Sequence, residues 1–231
     1  GASGLREDIG LEIKARSNPK LRTILNNKDQ YPDAMIQSLY RNEELIDFVY
    51  NYPSKKGHVY TNTIGPVTKG RYPLLLQYDQ RWGYGKYGYN VIGMNGCGPT
   101  STAMIIAGLT GRNNITPFDV ASYAYSHGYY QDGTSWSFFT EGMKHYGIYG
   151  RNIPLSYSSM KNEIMNGRPL ICSMKPGDFT TTGHLIVIRG MKQGMFIVND
   201  PNSIKRSNRL WSYDTLSKQI KNMWSFSRQH Y

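Results

Sequence analysis

This 231-residue chain predicts an α+β fold with an antiparallel sheet, and three observations carry that prediction. Residues 5–52 carry apolar side chains at helical spacing. Near the middle, Asn95-Gly96-Cys97-Gly98-Pro99 opens a helix that is apolar all round from Thr102 to Leu109, as expected of a helix buried between layers. Later come strand-like runs at 170–174, 184–189 and 195–200, the last two separated by a short Gly-flanked turn.

Hydrophobic residues make up 39% of the chain and charged residues 19%, the balance of a globular protein with a sizeable core. A polar crossing at 55–70, with Gly57, Gly65, Pro66 and Gly70, marks the boundary between two parts. A helical N-terminal arm and linker are expected at 1–69, and the main domain at 70–231. No apolar run reaches the roughly 18 to 20 residues of a membrane span, and any secretion signal is taken to have been removed upstream. The net charge of +11 attracts polyanions, but the basic residues are scattered and argue against specific nucleic-acid recognition. With only Cys97 and Cys172 there is no disulfide framework. Five dispersed histidines show no metal-ligand spacing, so neither a metal nor a cofactor is expected.

In the arm, Glu43 and Glu44 load the first turn of a helix continued by Leu45, Phe48 and Val49, and Asn51-Tyr52-Pro53 is expected to stop it. The main domain opens at Tyr72-Pro73-Leu74-Leu75-Leu76-Gln77 and passes through a Gly/Tyr-rich loop to the cysteine helix. A second helix starts at Thr116 as N-cap, with Pro117 first and Asp119 completing a capping box. Further helices are expected at 136–146, ended by Gly147, and at 158–166, ended by Gly167. Cys172 lies in the apolar run Leu170-Ile171-Cys172-Ser173-Met174 and reads as a packed core thiol.

Cys97 is the candidate nucleophile. Gly96 and Gly98 permit a tight turn, and Pro99 is tolerated in a first helical turn because its missing N–H has no partner there. The thiol therefore meets the positive end of a helix, where a thiolate is favoured.

Such a nucleophile needs a base held by a third group. His184-Leu185-Ile186-Val187-Ile188-Arg189 and Met195-Phe196-Ile197-Val198-Asn199-Asp200 form a hairpin. A turn symmetric about Lys192 sets His184 directly across from Asp200, and not Asn199, with Cβ atoms about 4.5 to 5.5 Å apart. A carboxylate there fixes the imidazole tautomer and stabilises the imidazolium. An oxyanion needs donors as well: the Cys97 N–H is one, and Gln77 and Gln80 are both candidates for a side-chain amide. The loop at 83–89 and the turn Gly133-Thr134-Ser135-Trp136 are candidates for the walls of a cleft beside Cys97.

Taken together, Gln77-Tyr78-Asp79-Gln80-Arg81-Trp82, Gly96-Cys97-Gly98-Pro99-Thr100-Ser101, Thr182-Gly183-His184 and Asn199-Asp200-Pro201-Asn202-Ser203 resemble the papain-like cysteine peptidases of the C-thirty-nine-like family over residues 70–231. That resemblance implies a papain-like fold with Cys97 as nucleophile, His184 as base and acid, Asp200 as the orienting residue and Gln77 as the oxyanion donor. It further implies a secreted bacterial enzyme that hydrolyses peptide or amide bonds through an acyl-enzyme thioester. Its partner is a peptide or protein substrate, cell-wall peptide included, and its place is extracellular or at the cell envelope. The alternatives are acyl transfer by the same triad, and a groove that binds peptide or wall fragments without chemistry.

Overall fold

The computed structural model describes residues 2–230, leaving aside the side chains of Ala2 and Ser3; Gly1 and Tyr231, the outer ends of the two expected segments, lie outside the described residues. The arm is four helices: α1 (Ala2–Ala15), α2 (Pro19–Leu25), α3 (Asp33–Arg41) and α4 (Ile46–Lys55). Asn18 caps α2 by accepting the Leu21 N–H at 3.1 Å, and Pro19 takes the first helical position. Pro53 does not end α4 as expected: the helix carries it within its last turn and stops two residues later. The apolar faces of the arm close on Leu21, Ile24, Met35, Leu39, Phe48 and Val49, all buried.

No helix or ladder strand occurs from 56 to 85. A two-stranded ribbon of β1 (Lys86–Tyr87) and β2 (Asn90–Val91) leads into α5 (Ile92–Asn95) and then α6 (Cys97–Thr110). From Gly98 to Gly108 every residue of α6 is buried, as its all-round apolarity requires. Gly111 ends it in the left-handed conformation at φ 74°. In α7 (Pro117–Ser126) the capping box forms in full, with Thr116 Oγ1 accepting from the Asp119 N–H and Asp119 Oδ2 from the Thr116 N–H. The helix expected over 136–146 is broken into α8 (Ser137–Thr140) and a 3₁₀ turn, Gly142–Tyr146. At that break Gly142 packs under the Phe138 ring, where an added Cβ would come within 2.2 Å.

The remaining elements are β3 (Tyr149–Asn152), α9 (Tyr157–Met165), β4 (Leu170–Met174), β5 (His184–Lys192), β6 (Met195–Asn199), α10 (Ile204–Ser207), β7 (Leu210–Trp211), α11 (Tyr213–Ser217) and β8 (Ile220–Ser227). Six strands form one antiparallel sheet in the order β3-β8-β4-β5-β6-β7. Ile171, Leu185, Val187, Trp224 and Phe226 pack on its α6 side. Cys172, Ile186, Ile188, Val198 and Met223 pack on the other, with Met160 of α9 and Trp211. The sheet thus buries both faces, with α6 on one and α9 on the other. No helix among the described residues is long and apolar enough to cross a membrane.

The β5–β6 register differs from the symmetric hairpin expected above. Lys192 pairs with Met195 across a two-residue turn, Gln193-Gly194, in which both residues have positive φ, 55° and 74°. The ladder then shifts by one between Ile188 and Gly190, leaving Arg189 as an extra residue in β5. Ile188 and Met191, three residues apart, consequently pack on the same side of the sheet. Below the bulge Val187 pairs with Asn199, so in continuing register Asp200 stands across from Ile186 and diagonal to His184.

Candidate active site

Cys97 is the first residue of α6, and no side chain caps that helix end. Pro99 has no N–H to give, so the donors of the first turn are the Cys97 and Gly98 amides. Gly98 lies so close to Thr134 that an added Cβ would meet Thr134 Oγ1 at 2.1 Å, and Thr134 is held in turn by the Tyr87 hydroxyl at 2.7 Å. The backbone bearing the thiol is thus packed closely against Thr134.

His184 opens β5 with its side chain only 8% exposed. Nε2 lies 2.7 Å from Asp200 Oδ1, while Cys97 is within hydrogen-bonding reach of the same ring. That leaves Nδ1 for the thiol. Burial alone would lower the His184 pKa, but the charge and hydrogen bond of Asp200, joined by those of Cys97, outweigh it and lift it from 6.5 to about 10.

Asp200 is completely buried. Its Oδ1 also accepts from the Asn202 N–H at 2.8 Å, and its Oδ2 accepts from Arg206 Nε at 2.6 Å. Ser207 Oγ accepts from the Asp200 N–H at 2.8 Å. Burial would raise this carboxyl, but His184 and Arg206 hold it below the usual carboxylate range. Asn199 points elsewhere. Its amide donates to the carbonyls of Tyr72 and Pro73, each at 3.2 Å, and accepts from Arg189 Nε at 3.1 Å.

The two glutamines separate cleanly. Gln77 is 3% exposed and lines the cleft that holds Cys97 and His184. One of its amide hydrogens goes to the Gly93 carbonyl at 3.1 Å, which leaves the second free. Gln80 instead accepts from Asn51 and Lys55 of the arm, at 3.1 and 3.3 Å, and does not line the cleft.

The cleft has a volume of about 680 Å³. Residues Thr180–Gly183 before the histidine form one wall, Met94 and Asn95 with Asp132 and Gly133 another, and Arg41, Asn42 and Leu45 of the arm a third. The Gly/Tyr loop 83–89 expected as a wall does not line the cleft: Tyr84 and Tyr87 are buried, with Tyr84 stacked on Phe48 of the arm at 4.5 Å, and Tyr89 is exposed. Cys172 lies at the centre of the sheet, fully buried, where desolvation pushes its thiol pKa up.

Sequence reasoning missed Arg206, Asn202 and Ser207 as partners of Asp200. The run Asn199-Asp200-Pro201-Asn202-Ser203 was the available signal, because Asn and Ser beside a Pro mark a turn that folds its own side chains and amides back on a preceding acid.

The sequence pattern of the Peptidase C39-like family matches residues 69–230. Among solved structures, the peptidase domain of Streptococcus ComA, described as a bi-functional ABC transporter involved in a quorum sensing pathway, aligns at 20% identity with a TM-score of 0.47, covering 69% of this chain and 100% of that one. No curated protein matches.

Proposed function

Because the chain belongs to the Peptidase C39-like family of papain-like cysteine peptidases, we propose that it hydrolyses peptide or amide bonds with Cys97 as nucleophile, His184 as base and acid, Asp200 as orienting residue and Gln77 as oxyanion donor. One observation carries this reading: a single buried imidazole touches the thiol on one side and, at 2.7 Å, a fully buried carboxylate on the other.

The steps follow from that placement. Cys97 Sγ, as thiolate, attacks the carbonyl carbon, and the carbonyl electron pair moves to oxygen. The Cys97 N–H and the free amide hydrogen of Gln77 are the donors for that oxyanion. His184, held protonated at neutral pH with its pKa near 10, gives the Nδ1 proton to the leaving amine as the C–N bond breaks. The resulting thioester is attacked by water, which passes a proton to the now neutral ring. The oxyanion then re-forms the carbonyl, the S–C bond breaks with its electron pair returning to Sγ, and the acid departs, restoring thiolate and imidazolium. Throughout, Asp200 holds Nε2 and so fixes which nitrogen faces the sulfur.

The net charge of +11 supports work near an anionic cell envelope, with peptides or peptide cross-links there as substrates. The test compares the wild type with Cys97→Ala on purified peptidoglycan and on an unbiased peptide library, following released amines. Amine release by the wild type alone is expected. Library cleavage with untouched peptidoglycan would end the wall-directed part, new amide bonds with added amines would replace hydrolysis by acyl transfer, and silence on both substrates would leave a binding groove.

A further inference from the structure

The 200–207 segment that orients the histidine does not stand alone; a carboxylate from the arm holds it. Glu44 lies in the turn Glu43–Leu45 between α3 and α4, outside the family match. Its Oε1 accepts from the Tyr78 hydroxyl at 2.5 Å and from the Ile204 N–H at 2.7 Å. Its Oε2 accepts from Ser203 Oγ at 3.1 Å and from the Lys205 N–H at 3.3 Å. One side chain therefore ties together the two segments that the reaction needs: Tyr78 follows the oxyanion donor Gln77, and residues 203–205 follow Asp200.

The tie reaches the triad by short steps. Ser203 Oγ accepts the Arg206 N–H at 2.9 Å, and the Arg206 side chain donates to Asp200 Oδ2. Next to Glu44, Asn42 donates to the Asn202 carbonyl at 2.8 Å, and the Asn202 N–H donates to Asp200 Oδ1. The Gln77 N–H closes the circuit on the Pro201 carbonyl at 2.7 Å. Burial would raise the Glu44 carboxyl, but the hydroxyl and amide donors outweigh it and hold its pKa below the usual range. Tyr78, buried against that carboxylate, has its phenol pushed up and stays a donor.

We propose that Glu44 is a positioning residue for Asp200, so that the N-terminal arm sets the charge state and placement of His184. The carboxylate accepts four hydrogen bonds through two oxygens, which an amide or a methyl group cannot reproduce. The inference rests on the peptidase reading only for its kinetic readout.

The experiment compares wild type, Glu44→Gln, Glu44→Ala and the neighbouring Glu43→Gln, whose carboxylate makes an exposed ion pair with Lys14. The His184 ring is titrated by NMR with labelled histidine, and kcat and KM are measured where turnover exists. In both Glu44 variants the His184 pKa is expected to fall by about one unit or more, a shift that loss of folded protein does not produce. Alongside it kcat falls by about tenfold with KM little changed, and Glu43→Gln matches wild type. Should Glu44→Ala fail to fold, Glu44→Gln and Ser203→Ala carry the same expectation. Lower melting temperatures with an unmoved His184 titration, or an equal shift in Glu43→Gln, would overturn the proposal. A wild type without turnover ends the peptidase reading, while the titration still decides this one.

Discussion

Arg189 donates from Nε to Asn199 Oδ1 at 3.1 Å at the point where the β5–β6 ladder takes up its extra residue. Were Arg189 instead paired in line with Val198, the register set by the Gln193-Gly194 turn would continue unshifted, and Asn199 instead of Asp200 would share the face of His184. The bulge restores the phase. Deleting Arg189 would bring Ile188 and Gly190 together without changing their pairs, so Asp200 should stay on the face of His184 and peptidase activity should persist with a β-rich circular dichroism spectrum; lost activity would show that the bulge does more than set this facing. For the same reason Asn199→Asp should not rescue Asp200→Ala, since residue 199 points at Tyr72 and Pro73. Recovered activity in that double variant would refute the assignment.

Cys97 and Cys172 should respond oppositely to the same chemistry. Cys97→Ala is expected to abolish turnover with an unchanged melting temperature, because α6 is held by residues 98–108. Cys172→Ser places a hydroxyl where the thiol is fully buried and should cost about 1–3 kcal/mol of stability with kcat intact. Iodoacetamide followed by peptide mapping should find Cys97 modified and Cys172 protected in the folded protein.

The oxyanion assignment is tested by the two glutamines. Gln77→Ala should lower kcat by about 10²-fold or more, roughly 3 kcal/mol of transition-state stabilisation. Gln80→Ala loosens contacts to Asn51 and Lys55 of the arm and should leave kcat near wild type. Steady-state kinetics on one library substrate decide between them, and the reverse result would move the donor to Gln80.

Stability should depend on pH through His184. Its pKa is raised in the folded state, so its contribution is complete below the ordinary value of 6.5 and is lost as pH rises through about 10. Asp200 has the opposite sign: its lowered pKa contributes above 3.8 and loses that contribution as pH falls through the folded-state value. The melting-temperature gap between wild type and Asp200→Asn should therefore be widest between about pH 4 and 6.5 and should narrow steadily toward pH 10. A gap that stays constant over that upper range would show that the pair does not titrate as described.

Local signals carried the part of the site that is local. Glycines, a proline and an unbroken apolar run are properties of a dozen neighbouring residues, and they marked α6 and its thiol directly. Thr116, Pro117 and Asp119 likewise needed only each other. The His184–Asp200 contact was reached through a register that is not the real one: the turn lies further along the chain, and the bulge at Arg189 restores the facing that a symmetric turn assumed. Neither feature follows from alternation, because Arg189 interrupts the apolar run just where a strand end is equally plausible. β8 escaped notice for a related reason. Buried on both faces from Met223 to Phe226 and opened by Ile220-Lys221-Asn222, it shows no regular alternation. Glu44 was legible as an acidic first-turn residue, while its bonds to Ser203, Ile204 and Lys205 span some 160 positions of chain and leave no local trace.

The arm's apolar cluster also takes in Tyr78 and Tyr84 from beyond the crossing, with Leu76, Val91 and Met94 packed against it. A fragment cut at residue 69, where the family pattern begins, would uncover all five and leave Gly93 without the Phe48 ring that now fills the space beside it. Apolar surface of that extent, next to the loop bearing Gln77, invites self-association during refolding. The smallest piece of this chain that keeps that surface covered thus has to reach back to Phe48, which stacks on Tyr84 and lies well upstream of the point where the family pattern starts.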